Sequence, residues 1–147
     1  MEKIKEKLIE AVESIGYFVY DIKERFEDDQ RILSIEIENE TNVNIDDCVT
    51  VSNHLSPLLD TLDPFDDAYS LEVASPGAER VLKTKDQIHR AMGKMVHIET
   101  IEGTFEGTLV DVTESELVIK NHRQKLNQFL LPDIQLIRMA IDFRRKK

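Results

Sequence analysis

The sequence predicts an α+β protein with two domains, an α-β-β-α-β domain over residues 1–82 and a small β-barrel over residues 83–147. Two observations carry the prediction. Up to residue 82, the spacing of apolar residues predicts five elements in the order helix, strand, strand, helix, strand. After it, one short helical segment precedes several short alternating segments that are separated by tight turns, a pattern typical of small barrels.

The front domain begins with an amphipathic helix and a strand. Apolar residues recur at helical spacing over residues 2–15, and Gly16 follows as a helix stop. The next segment alternates and predicts a strand with Phe18, Tyr20 and Ile22 on one face.

A second alternating segment, residues 31–38, follows the turn Glu-Asp-Asp-Gln and predicts the other half of an antiparallel hairpin. The residues expected inside are Leu33, Ile35 and Ile37. The residues expected in water are Ser34, Glu36 and Glu38.

A second helix is predicted from about Ile45. Asn44 can cap it, and Asp46 and Asp47 are favourable beside the positive start of a helix. Pro57 lies inside the pattern and should kink or split the helix. The expected buried stripe is Val49, Val51, Leu55, Leu58, Leu59 and Leu62.

A third strand, residues 69–75, has Leu71 and Val73 inward and completes a three-stranded sheet with both helices on one face. The turn Ser75-Pro76-Gly77-Ala78 follows. Proline presets its second position, and glycine accepts the positive φ of the third position in a type II turn.

The rear domain begins with a short helix that Thr84 and Gln87 cap and Gly93 ends. A single helical turn is expected at Pro132-Asp133. The expected strands are residues 94–100, 103–113, 115–120, 127–132 and 136–141. His97 is expected to face solvent, because the alternate residues of its strand are apolar. Residues 105–111 resemble the bent strand of Sm-like and SH3-like barrels, in which a glycine lets the strand curl.

The sequence carries no recognisable catalytic or cofactor motif. It has no glycine-rich phosphate loop and no nucleophile motif, and its histidines lie in different elements without metal-binding spacing. Its single cysteine, Cys48, excludes a disulfide within the chain. No apolar run approaches the length of a membrane helix. We therefore expect a cytoplasmic, non-enzymatic protein without cofactor, metal or membrane.

The charge is divided unevenly along the chain. Residues 1–82 hold 20 acidic and 7 basic residues, a net charge of -13, whereas residues 83–147 have a net charge of +3. The densest carboxylate cluster, here called the acidic loop, is Asp60, Asp63, Asp66 and Asp67. The chain ends in a basic tail of Arg144, Arg145, Lys146 and Lys147. An acidic surface attracts basic proteins, and a basic segment can contact RNA phosphates.

The residues 69–82, Y-S-L-E-V-A-S-P-G-A-E-R-V-L, resemble the signature of the RimP family of bacterial ribosome maturation factors. Residues 47–52, 59–64 and 93–96 fit the same family in order and spacing. Three features depart from the family pattern: Ala74 stands for serine, Val81 stands for proline, and the loop 39–44 lacks a glycine.

The resemblance implies a KH-like front domain and an SH3-like barrel. It also implies a non-enzymatic factor that binds the immature small (30S) ribosomal subunit and contacts its basic ribosomal protein number twelve. We expect a monomer, with the acidic loop engaging the basic protein, and ribosomal RNA as a further partner of the rear half and basic tail. Two interpretations of the turn at Ser75, Pro76 and Gly77 remain open. The turn chemistry favours a role in folding for Pro76 and Gly77. The alternative is that the turn sets the angle between the domains, with Arg80 bridging them.

Two other function classes remain open at this point. One is an Sm-like RNA-binding module that acts outside the ribosome. The acidic front domain, the missing GXXG loop of KH-type binders and the few barrel aromatics disfavour it. The other is a metal-dependent hydrolase that uses the acidic loop, although no histidine cluster supports it.

Overall fold

A computed structural model describes residues 2–39 and 43–141 and confirms the α+β class. The chain divides into a front unit, Met1–Pro76, and a rear unit, Gly77–Lys147. The reason is backbone pairing: Leu82 donates to the Ile137 carbonyl and Met139 donates to the Arg80 carbonyl, both within the rear unit.

The front unit has the order α-β-β-α-β that the sequence predicts. Its elements are α1 (Glu2–Ser14), β1 (Phe18–Glu27), β2 (Gln30–Glu38), α2 (Ile45–Leu62) and β3 (Tyr69–Ala74). The sheet order is β1-β2-β3, with β1 antiparallel and β3 parallel to the central strand. Asp28 and Asp29, both with positive φ, form the tight turn between β1 and β2.

The core of the front unit lies between the sheet and the two helices. The inward residues of β2 are fully buried, as predicted, and pack against α1 and α2. The buried members of this cluster are Leu8, Val12, Ile22, Leu33, Ile35, Ile37, Val51, Leu55 and Leu59.

The predicted face of β1 is wrong because the strand contains a bulge. The pairing with β2 shifts between Val19 and Asp21, so Tyr20 is an extra residue in the ladder. The shift brings Val19, rather than Phe18 and Tyr20, to the core alongside Ile22. The alternation of apolar residues cannot reveal such an insertion, because Phe18, Val19 and Tyr20 are all apolar and the pattern does not show which of them faces the core.

The outward face of β2 is less exposed than predicted. Ser34 is 3% and Glu38 is 4% exposed. β2 is the central strand, so long side chains from its neighbours cover this face. Lys23 and Glu72 lie at the positions paired with Ser34 on either side.

The predicted cap of α2 is confirmed. The Asn44 side chain accepts from the Asp47 N–H at 2.8 Å, and Asp47 accepts from the Asn44 N–H at 2.9 Å. Pro57 does not split the helix, whose turns on both sides of Pro57 are anchored in the core. Val49 is 51% exposed rather than buried, because the buried stripe is narrower than predicted.

The rear unit is built on a five-stranded antiparallel sheet with the order β7-β6-β5-β4-β8. Its elements are α3 (Lys85–Arg90), β4 (Met95–Thr100), β5 (Gly103–Val112), β6 (Glu116–Lys120), β7 (Leu126–Leu130), a 3-10 turn (Leu131–Asp133) and β8 (Ile134–Met139). Thr84 caps α3 as predicted, but Gln87 accepts from the Lys83 N–H rather than from Thr84.

His97 lies on the face opposite Val96 and Ile98, as predicted, but it is only 8% exposed. Its Nδ1 lies 3.0 Å from a Glu106 carboxylate oxygen, and its Nε2 lies 3.0 Å from a Glu99 oxygen. Glu106 is the residue paired with His97 across the strands, so its side chain covers the ring. The prediction that His97 faces solvent is therefore wrong.

Candidate functional site

The acidic loop occupies the end of α2 and the connection to β3. Asp60 lies in the last turns of α2, and Asp63 is its C-cap in the left-handed region, with its N–H donating to the Leu59 carbonyl at 2.8 Å. Asp66 and Asp67 follow in the connection, and all four aspartates of the loop are exposed. The helix end and the cap therefore place the four carboxylates on one stretch of surface.

Arg31 anchors this connection to the sheet. Its guanidinium lies 4.4 Å from the centre of the Phe65 ring and 4.9 Å from that of Phe26. The same group contacts Asp67 at 3.2 Å and Glu24 at 2.6 Å. Of the acidic loop, Asp67 is thus ion-paired, whereas Asp60, Asp63 and Asp66 have no ion-pair partner among the residues that the structure describes.

Tyr69 marks the inner boundary of the loop. Its ring packs edge-to-face on Phe65 with the ring centres 5.1 Å apart. Burial raises the pKa of the Tyr69 hydroxyl, and the charges of Asp60 and Asp63 raise that pKa further. The negative charge of these two aspartates would also attract a cationic group to this part of the surface.

The metal-dependent hydrolase that the sequence left open would need metal ligands grouped in the acidic loop. In residues 2–39 and 43–141, no group of three or more His, Cys, Asp or Glu side chains could hold a metal ion. The loop is an open negative surface, and its chemistry is the attraction of positive charge. The same described residues contain no helix that is long and apolar enough to span a membrane.

The outer face of the front sheet carries a second charged cluster, which is internally paired. Arg25 donates to both oxygens of Glu72, at 2.5 and 3.1 Å, and to Glu27 at 3.1 Å. The hydrogen bonds from Arg25, more than any other contact, hold the pKa of Glu72 below its usual range. This cluster therefore supports the sheet rather than offering unpaired charge.

The lowered pKa of Glu72 predicts a loss of stability in acid. The folded state favours the ionised carboxylate of Glu72, which therefore contributes to the free energy of unfolding. This contribution is complete above the ordinary glutamate pKa of 4.5, and it is lost as the pH falls through the lower pKa of Glu72 in the folded state. We expect Arg25→Gln to lower the urea midpoint at pH 7, and the difference from the original protein to narrow towards pH 3. The control is Lys7→Gln, which removes one positive charge from an exposed position of α1 that does not influence the pKa of Glu72. If the difference in urea midpoint between Arg25→Gln and the original protein stays constant from pH 7 to pH 3, the ion pair of Arg25 with Glu72 does not stabilise the fold.

The turn between the units has the predicted glycine conformation. Gly77 has φ +101°, and the Arg80 guanidinium donates to the Gly77 carbonyl at 3.1 Å. This contact closes the turn that Ser75 and Pro76 begin, which favours a role in folding. A role of these residues in setting the angle between the units stays a prediction.

An apolar groove that the sequence did not predict lies in the front unit. It has a volume of about 710 Å³ and runs between the first turns of α2 and the end of β3. Ile45 is 81% and Val49 is 51% exposed at its rim. The lining residues are Val43, Asn44, Ile45, Cys48, Val49, Ser52, Asn53, Val73, Ala74 and Ser75. One feature of the sequence could have indicated the groove. At helical spacing, Ile45 and Val49 lie beside the buried stripe of Val51, Leu55 and Leu59 rather than on it.

The aromatic residues of the rear sheet are engaged with each other. Phe105 and Phe129 pack edge-to-face with their ring centres 5.0 Å apart, and both contact the core of the rear unit. Rings held in this way are poorly placed to stack on bases. The predicted RNA-contacting tail of Arg144, Arg145, Lys146 and Lys147 lies outside the described residues.

A known protein family matches the front part of the chain. The family described as RimP N-terminal domain matches residues 7–79, which are about half of the chain. The matched segment runs from α1 through β3 and includes the acidic loop, the apolar groove and the turn at Ser75, Pro76 and Gly77.

Proposed function

Because the chain belongs to the RimP family, whose members are non-catalytic factors in maturation of the 30S ribosomal subunit, we propose that it binds immature small subunits through its acidic front unit. Its partner there is a basic protein of the small subunit, number twelve. The protein acts in the cytoplasm as a monomer. The rear half and its basic tail contact ribosomal RNA.

One observation carries the proposal: three of the four carboxylates of the acidic loop have no ion-pair partner among the residues that the structure describes. Asp60, Asp63 and Asp66 are exposed on a unit whose residues 1–76 have a net charge of -13. Such a field raises the rate at which a basic protein meets the surface, and it orients the encounter. The cluster of Arg25, Glu27 and Glu72 is less suited to this role, because Arg25 already pairs with both of its carboxylates.

The proposal predicts that replacing Asp60, Asp63, Asp66 and Asp67 with asparagine slows association with purified ribosomal protein number twelve. We expect the association rate constant at low salt to fall about tenfold and its dependence on salt to flatten, with little change in the dissociation rate. Stopped-flow mixing at several salt concentrations measures all three quantities.

The matched control replaces the exposed Glu2, Glu6, Glu10 and Glu13 of α1 with glutamine, which removes the same net charge from a different surface. If both variants slow association equally, net charge alone matters and the acidic loop is not the docking site. An unchanged rate in the asparagine variant contradicts the proposal as well. Sedimentation with immature and mature subunits tests the wider claim, and we expect preferential comigration with the immature ones.

A further inference from the structure

The apolar groove lies beside an unpaired strand edge. In the described residues β3 pairs only with β2, because the sheet order is β1-β2-β3. Val73, Ala74 and Ser75 at the end of β3 line the groove, and Cys48, Val49 and Ser52 of α2 form its opposite wall. An exposed strand edge flanked by a helix is the geometry in which proteins accept an added peptide strand.

Charge and apolar surface occur at opposite ends of the same strand. The acidic loop leads into β3 at Tyr69, whereas the groove lies at Val73–Ser75, which a six-residue strand places roughly 15 to 20 Å away. Asp46, exposed in the first turn of α2, adds negative charge near the groove. A ligand laid along β3 would therefore meet carboxylates at one end and apolar side chains at the other.

We propose that the β3 edge and the apolar groove bind an extended segment in which apolar residues alternate with Lys or Arg. The segment adds to β3 as a further strand. Its backbone forms the ladder hydrogen bonds and its apolar side chains enter the groove. Its basic side chains point to the opposite face of the strand, and the net charge of -13 of the front unit attracts them. This inference rests on the proposed function in taking the segment from a basic ribosomal protein.

The surroundings favour this occupant over others. A nucleic acid or an acidic peptide would bring negative charge to a unit of net charge -13. An amphipathic helix could cover Ile45 and Val49, but it would leave the backbone groups of the strand edge without partners. An extended basic and apolar segment satisfies the edge, the groove and the charge together.

The test uses a fluorescent peptide of about eight residues in which valine alternates with lysine, and fluorescence anisotropy measures its dissociation constant on the full chain. We expect Val49→Asp to weaken binding at least tenfold by placing a charge in the apolar wall. The variant should fold, since Val49 is already 51% exposed and an aspartate near the start of a helix is favourable. The matched control, Thr50→Asp, adds the same charge at an exposed neighbour that does not line the groove and should bind normally.

Two methylated peptides test the added strand itself. Methyl groups on the valine backbone nitrogens block one edge of the extended peptide, and methyl groups on the lysine nitrogens block the other. We expect one of the two peptides to lose binding at least tenfold and the other to retain it. A peptide in which glutamate replaces lysine should not bind.

The inference is overturned if Val49→Asp and Thr50→Asp bind alike, or if both methylated peptides bind as well as the parent. If charge alone attracts the peptide, both aspartate variants should bind it more tightly than the original protein does, and that result also overturns the inference. Sedimentation with immature subunits keeps the two claims apart. Absence of the protein from these particles refutes the proposed function, while the peptide titrations still decide whether the groove accepts a strand.

Discussion

Gly107→Val is expected to unfold the rear unit while the front unit stays folded. A Cβ atom at Gly107 would lie 2.6 Å from the Lys120 carbonyl oxygen and 2.9 Å from its carbon. These are backbone atoms of the neighbouring strand, so the clash cannot be relieved by turning a side chain. We expect a loss of about 3 kcal/mol or more, at the upper end for overpacking of a core.

The distribution of tyrosines separates the two units in one experiment. Tyr17, Tyr20 and Tyr69 are the three tyrosines of the chain, all lie in the front unit, and there is no tryptophan. Tyrosine fluorescence in urea should therefore report an unchanged front unit, while methyl NMR signals of Leu109 and Ile119 should show the rear unit unfolded. The two core clusters share no residue, which is why we expect the separation.

The control for this variant is Thr104→Val, which adds apolar volume at an exposed position of the same strand. We expect it to change stability by less than about 0.5 kcal/mol. If Gly107→Val is tolerated as well as Thr104→Val, the close approach of β6 is not a constraint on this strand.

Arg31→Met is expected to have the next largest effect, a loss of about 2 kcal/mol in the stability of the front unit. The substitution keeps much of the apolar stem but removes the cation between the Phe26 and Phe65 rings and the ion pairs to Glu24 and Asp67. Contacts between a cation and a ring contribute about 0.5 to 2 kcal/mol, and exposed ion pairs about 0.2 to 1 kcal/mol.

Tyrosine fluorescence in urea measures this loss, because Tyr69 packs on Phe65. Lys23→Met is the comparison, since Lys23 is 52% exposed and makes one ion pair of 3.8 Å. Amide hydrogen exchange at residues 63–68 should also become faster in Arg31→Met, because the connection loses its anchor. Equal stability of the two variants would show that Arg31 does not anchor the acidic loop.

Where local sequence chemistry is sufficient, the sequence predictions agree with the structure. Leu33, Ile35 and Ile37 are buried because a strand with one apolar face has one way to bury it. Asn44 and Thr84 cap their helices because their side chains satisfy backbone N–H groups a few residues away. Gly77 takes a positive φ because the turn requires it.

The candidate site was predictable in part. Asp60, Asp63, Asp66 and Asp67 were recognisable as a carboxylate cluster, because residues so near in sequence must lie near each other. The ion pair between Arg31 and Asp67 was not predictable, because the two residues are separated by 36 positions and meet only because β2 lies beside β3. The same applies to the apolar groove, whose walls come from α2 and β3.

The sequence by itself determined the order of elements, their caps and turns, the uneven charge and the family, because each of these depends on residues close together in the chain. The tertiary structure alone decided the face of β1, the burial of Ser34 and His97, the exposure of Val49 and the use of Gly107. Val49 is exposed because the helix buries a narrower stripe than its apolar residues suggest. For β1, Ser34, His97 and Gly107 the deciding contact comes from a neighbouring strand: the ladder with β2, the side chains of flanking strands, or the carbonyl of Lys120. Such contacts depend on packing between segments, which spacing along one segment does not encode.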